Sequence, residues 1–193
     1  MASATRLGIQ GDARGAIVVD MTLETERLIL SPWNRADWTE FRPIANDVEV
    51  MRYITGGVPW TDEKIQAFVD RQMELYRERG FCRWKLTEKV SGELIGFCGP
   101  GFWKDAPDVE IGWWLARRCW GRGLATEAAT VALRDAFERA GLERVVSVAM
   151  PENRASRRIM EKLGLVFECD FVAERQQLVR YAIVRAQYAA RMA

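Results

Sequence analysis

Residues 110–126 read Glu110-Ile111-Gly112-Trp113-Trp114-Leu115-Ala116-Arg117-Arg118-Cys119-Trp120-Gly121-Arg122-Gly123-Leu124-Ala125-Thr126. The first part is aromatic and branched, as a strand requires, and a strand is predicted over 109–116. The last part opens a helix over 124–140, with Leu133, Ala136, Phe137 and Ala140 at helical spacing and Gly141 as its stop. Between them, Gly121 and Gly123 let the backbone turn tightly, so that successive N–H groups converge beside a helix N-terminus. Such a place binds anions. The helix end contributes roughly half a positive charge, and Arg117, Arg118 and Arg122 stand beside it, so a pyrophosphate is the natural guest.

Upstream, a first strand is predicted over 27–30, a short helix over 36–45, and a turn-rich loop over 55–60. A helix follows over 62–79, capped by Thr61 or Asp62 and stopped by Gly80. Antiparallel strands over 81–87 and 93–102 meet through Val90-Ser91-Gly92, and a turn over 105–108 leads into the strand at 109. Downstream come a buried strand over 144–150, a helix opened by Asn153 and closed by Gly164, and strands over 166–172 and 178–184. Residues 1–21 lack periodicity and read as a poorly ordered extension ahead of Met21, leaving 22–193 as the domain. The fold class is mixed α/β (α+β): one domain around a central, mostly antiparallel sheet flanked by helices.

The chain has 193 residues, 49% apolar and 28% charged, with a net charge of +1. That balance suits a globular domain and gives no bulk attraction to nucleic acid or to an anionic membrane. Histidine is absent, which excludes Ser-His-Asp and Cys-His centres and any histidine-ligated metal; no metal is predicted. Proton transfer falls to a carboxylate, phenol, thiol, amine or water. The four cysteines, Cys82, Cys98, Cys119 and Cys169, lack C-x-x-C spacing and sit in apolar stretches, as buried thiols of a reducing cytoplasm do. No run approaches the ~18 apolar residues of a membrane span, and the protein is expected in the cytoplasm.

Two phosphate loops can be tested against the glycine turn. A Walker loop needs Gly-Lys-Ser/Thr, and none exists. A dinucleotide fingerprint needs Gly or Ala where Thr126 stands, on a helix that opens a series of βαβ units. Both fail, and an oxidoreductase with a nucleotide site is disfavoured. A solvated arginine turn at a helix start is the plain alternative to a phosphate site.

Arg118-x-x-Gly121-x-Gly123, preceded by Glu110-Ile111-Gly112-Trp113-Trp114-Leu115 and followed by Asn153-x-x-Ser156 and Leu163-Gly164, resembles the GNAT N-acetyltransferase superfamily, specifically its RimJ/RimL-like branch. The likeness spans residues 22–188 and includes Glu24-Thr25-Glu26-Arg27-Leu28-Ile29-Leu30. It implies acetyl-CoA as co-substrate, its pyrophosphate held by the backbone of Arg118, Cys119, Trp120, Gly121, Arg122, Gly123, Leu124, Ala125 and Thr126. It also implies pantetheine paired like an added strand beside Trp113, Trp114 and Leu115, with Asn153 and Ser156 flanking the donor on its other side. Splayed strands leave backbone groups that pantetheine amides can satisfy. The partners implied are acetyl-CoA and an amine acceptor, either a peptide N-terminus or a small molecule such as an amino acid, polyamine or antibiotic. Homodimers are common among such relatives.

Transfer to an amine needs the neutral amine. Deprotonation at pH 7 costs about 1 kcal/mol for an α-amine and about 4.6 kcal/mol for a lysine. Glu110, at the acidic position of the resemblance, is the candidate base, with Asp108 as its substitute; an arginine-paired carboxylate is the competing reading. Many such proteins protonate the leaving thiolate with a tyrosine seven residues after the motif asparagine, but Met160 stands there. Ser156 is the remaining hydroxyl, or else it merely caps its helix. Cys119 has no histidine to activate it and reads as a packed thiol. Of eight tryptophans, Trp60, Trp103, Trp113, Trp114 and Trp120 are placed around the cleft, with Trp60 as the acceptor contact. Arg154, Arg157 and Arg158 are within reach of a CoA phosphate or form a solvated face. A CoA-binding sensor without turnover is the rival of another class.

Overall fold

Burial of the branched and aromatic strands is what assembles the chain. The computed structural model describes residues 5–11, 17–102, 108–173 and 175–192. The strands are β1 (Thr5–Gly11), β2 (Ile17–Glu24), β3 (Leu28–Ser31), β4 (Trp84–Glu88), β5 (Leu94–Phe102), β6 (Val109–Leu115), β7 (Arg144–Ala149), β8 (Val166–Ala173) and β9 (Gln176–Val184). Among the described residues they form one nine-stranded sheet in the order β1-β2-β3-β4-β5-β6-β7-β9-β8. Every pair is antiparallel except β6 with β7.

Helices cover the sheet: α1 (Trp38–Ala45), α2 (Val48–Met51), α3 (Asp62–Arg79), α4 (Leu124–Glu138), α5 (Arg154–Leu163) and α6 (Arg185–Met192). Local chemistry sets their ends. Thr61 accepts a bond from the Lys64 N–H at the start of α3, and Gly80 ends it in the left-handed region at φ 72°. Gly164 ends α5 in the same way at φ 87°. Phe41 of α1, Phe68 of α3 and Phe97 of β5 form one aromatic stack, with centroids 5.6 Å apart for Phe41–Phe68 and 5.1 Å for Phe68–Phe97. Leu124, Ala128 and Ala132 bury one face of α4 in the same core.

The strands and helices expected from 27 onward all appear, with ends shifted by a few residues. Three features differ. Strands β1 and β2 precede residue 27 and pair as a hairpin, and Leu23 of β2 is buried opposite Leu30 of β3. Helix α2 occupies part of the stretch between the first two expected helices, capped by Asp47 onto the Glu49 N–H. Helix α6 follows the last strand; its single apolar anchor, Tyr188, stacks on Phe137 at 4.9 Å, a contact between distant residues that no periodicity displays. The turn expected over 105–108 and Trp103 fall at residues outside the described set, save Asp108.

Gly96 lies opposite Leu115 with φ 145°, and a Cβ there would overlap the carbonyl oxygen of Trp114. Gly96→Ala is therefore expected to lower stability by roughly 3 kcal/mol or more, read as a fall in the urea midpoint; an unchanged midpoint would refute this contact.

Candidate active site

Strands β6 and β7 pair in parallel only at Glu110 opposite Val146. Past that residue they diverge, and β6 has no strand neighbour on its β7 side among the described residues. Two side chains close part of the exposed edge. The buried Ser147 hydroxyl donates to the Ile111 carbonyl at 2.9 Å, and the Trp120 indole donates to the Leu115 carbonyl at 2.8 Å. Alternation along an antiparallel strand turns Trp113, midway between them, to the same side. Its peptide groups thus face a cleft of about 570 Å³. Aromatic packing holds this edge in place: Trp114 lies 5.0 Å from Phe97 and 4.7 Å from Trp60.

The cleft continues into the glycine turn. Gly121 and Gly123 adopt φ 72° and 77°, and α4 begins with no side-chain cap. Within the described residues the backbone N–H groups of Gly121, Arg122, Gly123, Leu124, Ala125 and Thr126 have no acceptor; the next, of Glu127, bonds the Gly123 carbonyl at 3.0 Å. The expected cradle is shorter than 118–126, because the Cys119 and Trp120 N–H groups are used in a 3-10 turn, bonding Ala116 and Arg117 at 2.8 and 3.1 Å. The arginines also differ from expectation. Arg118 pairs with Glu93 at 2.6 Å and Arg122 with Glu88 at 2.7 Å, and neither lines the cleft. At this turn it is the backbone and the helix start, not the flanking arginines, that line the cleft.

Thr25, Arg27 and Glu127 sit behind this turn. Burial pushes the Glu127 carboxyl up, but bonds from Thr25 and Arg27 outweigh it and hold the group below the usual range.

Glu110 lines the cleft at the root of the fork, only 6% exposed, and its Oε2 accepts a 2.5 Å bond from Arg83. Both readings of Glu110 meet here, a cleft carboxylate that is also arginine-paired. Glycines make room for the arginine: a Cβ on Gly112 would overlap its Nη1, and one on Gly101 would come within 2.8 Å of its Nε. Arg83 is further held by its backbone, which bonds Gln72 and Trp33. Asp108, the substitute base, instead faces Arg144 at 3.4 Å and Arg180 at 3.9 Å and is not part of the cleft wall.

Across the cleft, Asn153 caps α5 by accepting from the Ser156 N–H at 3.1 Å. The capping role therefore belongs to Asn153, and Ser156 is among the residues lining the cleft. Met160 is fully buried in the core, so that position supplies no proton donor. Cys119 is buried at the cleft; burial pushes its thiol up, against the smaller opposing pull of Arg118. Trp60 is not a wall residue. It packs one layer behind, edge-on to Trp114, because the loop carrying it is fastened by the Trp60 N–H to the Ala45 carbonyl at 3.2 Å. Arg83, Ser147 and Tyr53 line the cleft without having been singled out in the sequence. Arg158 lines it too, while Arg157 bonds the Tyr181 hydroxyl at 3.3 Å.

A parallel pair that splays beside an uncapped helix start leaves peptide groups open along one cleft. The chain belongs to the acetyltransferase (GNAT) domain family, which matches residues 27–166, and is thus an N-acetyltransferase. Proteins of this family use acetyl-CoA. The chain is similar to the uncharacterized N-acetyltransferase YnaD of Bacillus subtilis, 29% identical over 147 residues, covering 75% of this chain and 82% of that one. It is also 30% identical over 189 residues to the FsC-acetyl coenzyme A-N(2)-transacetylase of Aspergillus fumigatus, covering 86% and 77%. Among solved structures, a GNAT-family acetyltransferase from Bacillus anthracis superposes with a TM-score of 0.73 at 27% identity, covering 86% of this chain and 99% of that one.

Asn153→Ala should destabilise the protein by about 1 kcal/mol through loss of the α5 cap, while Asn153→Asp, an equally good cap, should not. Equal melting temperatures for Asn153→Ala and the unsubstituted chain would contradict the capping assignment.

Proposed function

We propose that this protein transfers acetyl from acetyl-CoA to a primary amine by direct attack in a ternary complex, with an α-amine, such as that of a peptide N-terminus, as acceptor. One observation carries the reading: the unpaired peptide groups at Trp113 and the acceptor-free N–H groups of Gly121 and of residues 123–126 belong to residues that line one cleft. A diphosphate suits the cradle and a diamide chain suits the strand edge. Acetyl-CoA supplies the acetyl group as an activated thioester. The N–H groups of Gly121 to Thr126 hold its diphosphate, Trp113 with the adjoining Trp114 and Leu115 orients its pantetheine, and Asn153 keeps the wall at Ser156 in register.

Glu110 takes the amine proton, directly or through a water, and the Ser156 hydroxyl donates to the departing sulfur. Arg83 fixes the carboxylate of Glu110 from one side, which keeps it aimed at the fork. The deprotonation cost of an α-amine, about 1 kcal/mol at pH 7 against about 4.6 kcal/mol for a lysine, favours an α-amine as acceptor. The RimJ/RimL-like motifs agree with such an acceptor. Cys119 takes no covalent part, since a thiol pushed up by burial is a poor nucleophile at neutral pH.

A free-thiol release assay over a panel of peptide and small-molecule amines tests the reading. Turnover is expected with α-amines, and Glu110→Gln should lower kcat by about 100-fold or more while calorimetry still finds acetyl-CoA bound. Binding without turnover on any amine would favour a sensor. Separately, protein incubated with acetyl-CoA and no amine should keep its unmodified mass; one acetyl group on Cys119 would overturn direct attack.

A further inference from the structure

The turn between β2 and β3 carries Thr25 and Arg27, and it is a rigid platform. The Thr25 N–H bonds the Leu28 carbonyl at 3.0 Å, and the Leu28 N–H bonds the Thr25 hydroxyl at 2.9 Å. Lys89 straps it from the next hairpin, its N–H to the Arg27 carbonyl at 2.9 Å and its Nζ to the Thr25 carbonyl at 2.7 Å. From this platform Arg27 and Thr25 bond Glu127, in the first turn of α4. The Glu127 carboxylate accepts from the Thr25 hydroxyl at 2.5 Å, the Arg27 N–H at 3.0 Å and Arg27 Nε at 2.7 Å. The remaining arm of the guanidinium, Nη1, donates to the Arg122 carbonyl at 2.9 Å.

That last bond reaches the anion loop itself. All peptide bonds described here are trans, and in a trans peptide the C=O and the following N–H point in opposite directions. Drawing the Arg122 carbonyl back onto Arg27 therefore turns the Gly123 N–H the other way, and Gly123 is a cleft-lining residue. The Arg122 side chain is pulled from the cleft as well, onto Glu88 at 2.7 Å. Arg27 and Glu127 cancel each other's charge at 2.6 Å, so the effect of Arg27 on the loop is one of aim more than of field.

The geometry points to Arg27, seated by Thr25 and Glu127, as a positioning residue that aims the Gly123 N–H at the donor diphosphate. This deepens the proposed function and rests on its cradle. Only a planar fork can hold Glu127 and the Arg122 carbonyl together, so lysine, which keeps the charge, does not replace it.

The test compares, by calorimetry on the full chain, binding of CoA with binding of pantetheine, which lacks the diphosphate. The unsubstituted protein should prefer CoA, and Arg27→Lys should reduce that preference roughly 10-fold, with Thr25→Val reducing it less. Melting temperatures are recorded for each variant. An unchanged preference in Arg27→Lys, or equal losses for both ligands, overturns the positioning role, the second because it marks a residue that merely supports the fold. If the unsubstituted protein binds pantetheine as tightly as CoA, the cradle reading itself falls, and this inference with it.

Discussion

A backbone N–H or C=O removed from water needs a partner, and an ordinary sheet supplies one from the next strand. At the split between β6 and β7 that supply stops after Glu110. Among the described residues the chain answers at two points, with Ser147 on the Ile111 carbonyl and Trp120 on the Leu115 carbonyl. What lies between, and the helix start beyond, stays open to a guest. The site follows from this interruption, because an open strand edge and an uncapped helix present amides in two places that one extended molecule can span.

An open edge is a weak point in a sheet, and the surrounding packing compensates for it. Trp114 is wedged among Phe41, Phe97 and Trp60, with centroids at 6.3, 5.0 and 4.7 Å. Gly96 lets the Trp114 carbonyl approach β5 closely, while Gly101 and Gly112 open the groove in which Arg83 reaches Glu110. The carboxylate at the root of the fork is thus held by the same sheet that leaves the edge unpaired. Rigid surroundings and an unfilled edge together make a preorganised site, in which few groups must move to receive a ligand.

Much of this was legible in the order of residues. The glycine turn, the strand before it and the helix after it were visible because each depends on local chemistry: aromatic and branched residues for the strand, φ above zero at Gly121 and Gly123, alanine-rich helical spacing from Leu124. The α5 cap at Asn153 was legible for the same reason. The roles of the arginines were not. Arg118 and Arg122 stand beside the turn in sequence, yet their side chains close on Glu93 and Glu88, which arrive from the β4–β5 hairpin. Trp60 was drawn to the acceptor by its place on a glycine-rich loop, and packing set it behind Trp114. Arg83 gave no local signal, since its meaning comes from glycines on two other strands.

The sequence by itself determined most elements from residue 27 onward, the absence of histidine chemistry and the glycine turn before α4, because these follow from side-chain type and spacing along a few neighbouring residues. Tertiary structure alone decided which arginine holds the Glu110 carboxylate, and which way the peptide between Arg122 and Gly123 faces. Those outcomes depend on partners tens of residues away: Arg83 with Glu110 across β5, and Arg27 with Glu127 at the start of α4. Such pairs form only when a long-range fold closes the distance between them, and no periodicity of the chain records that closure.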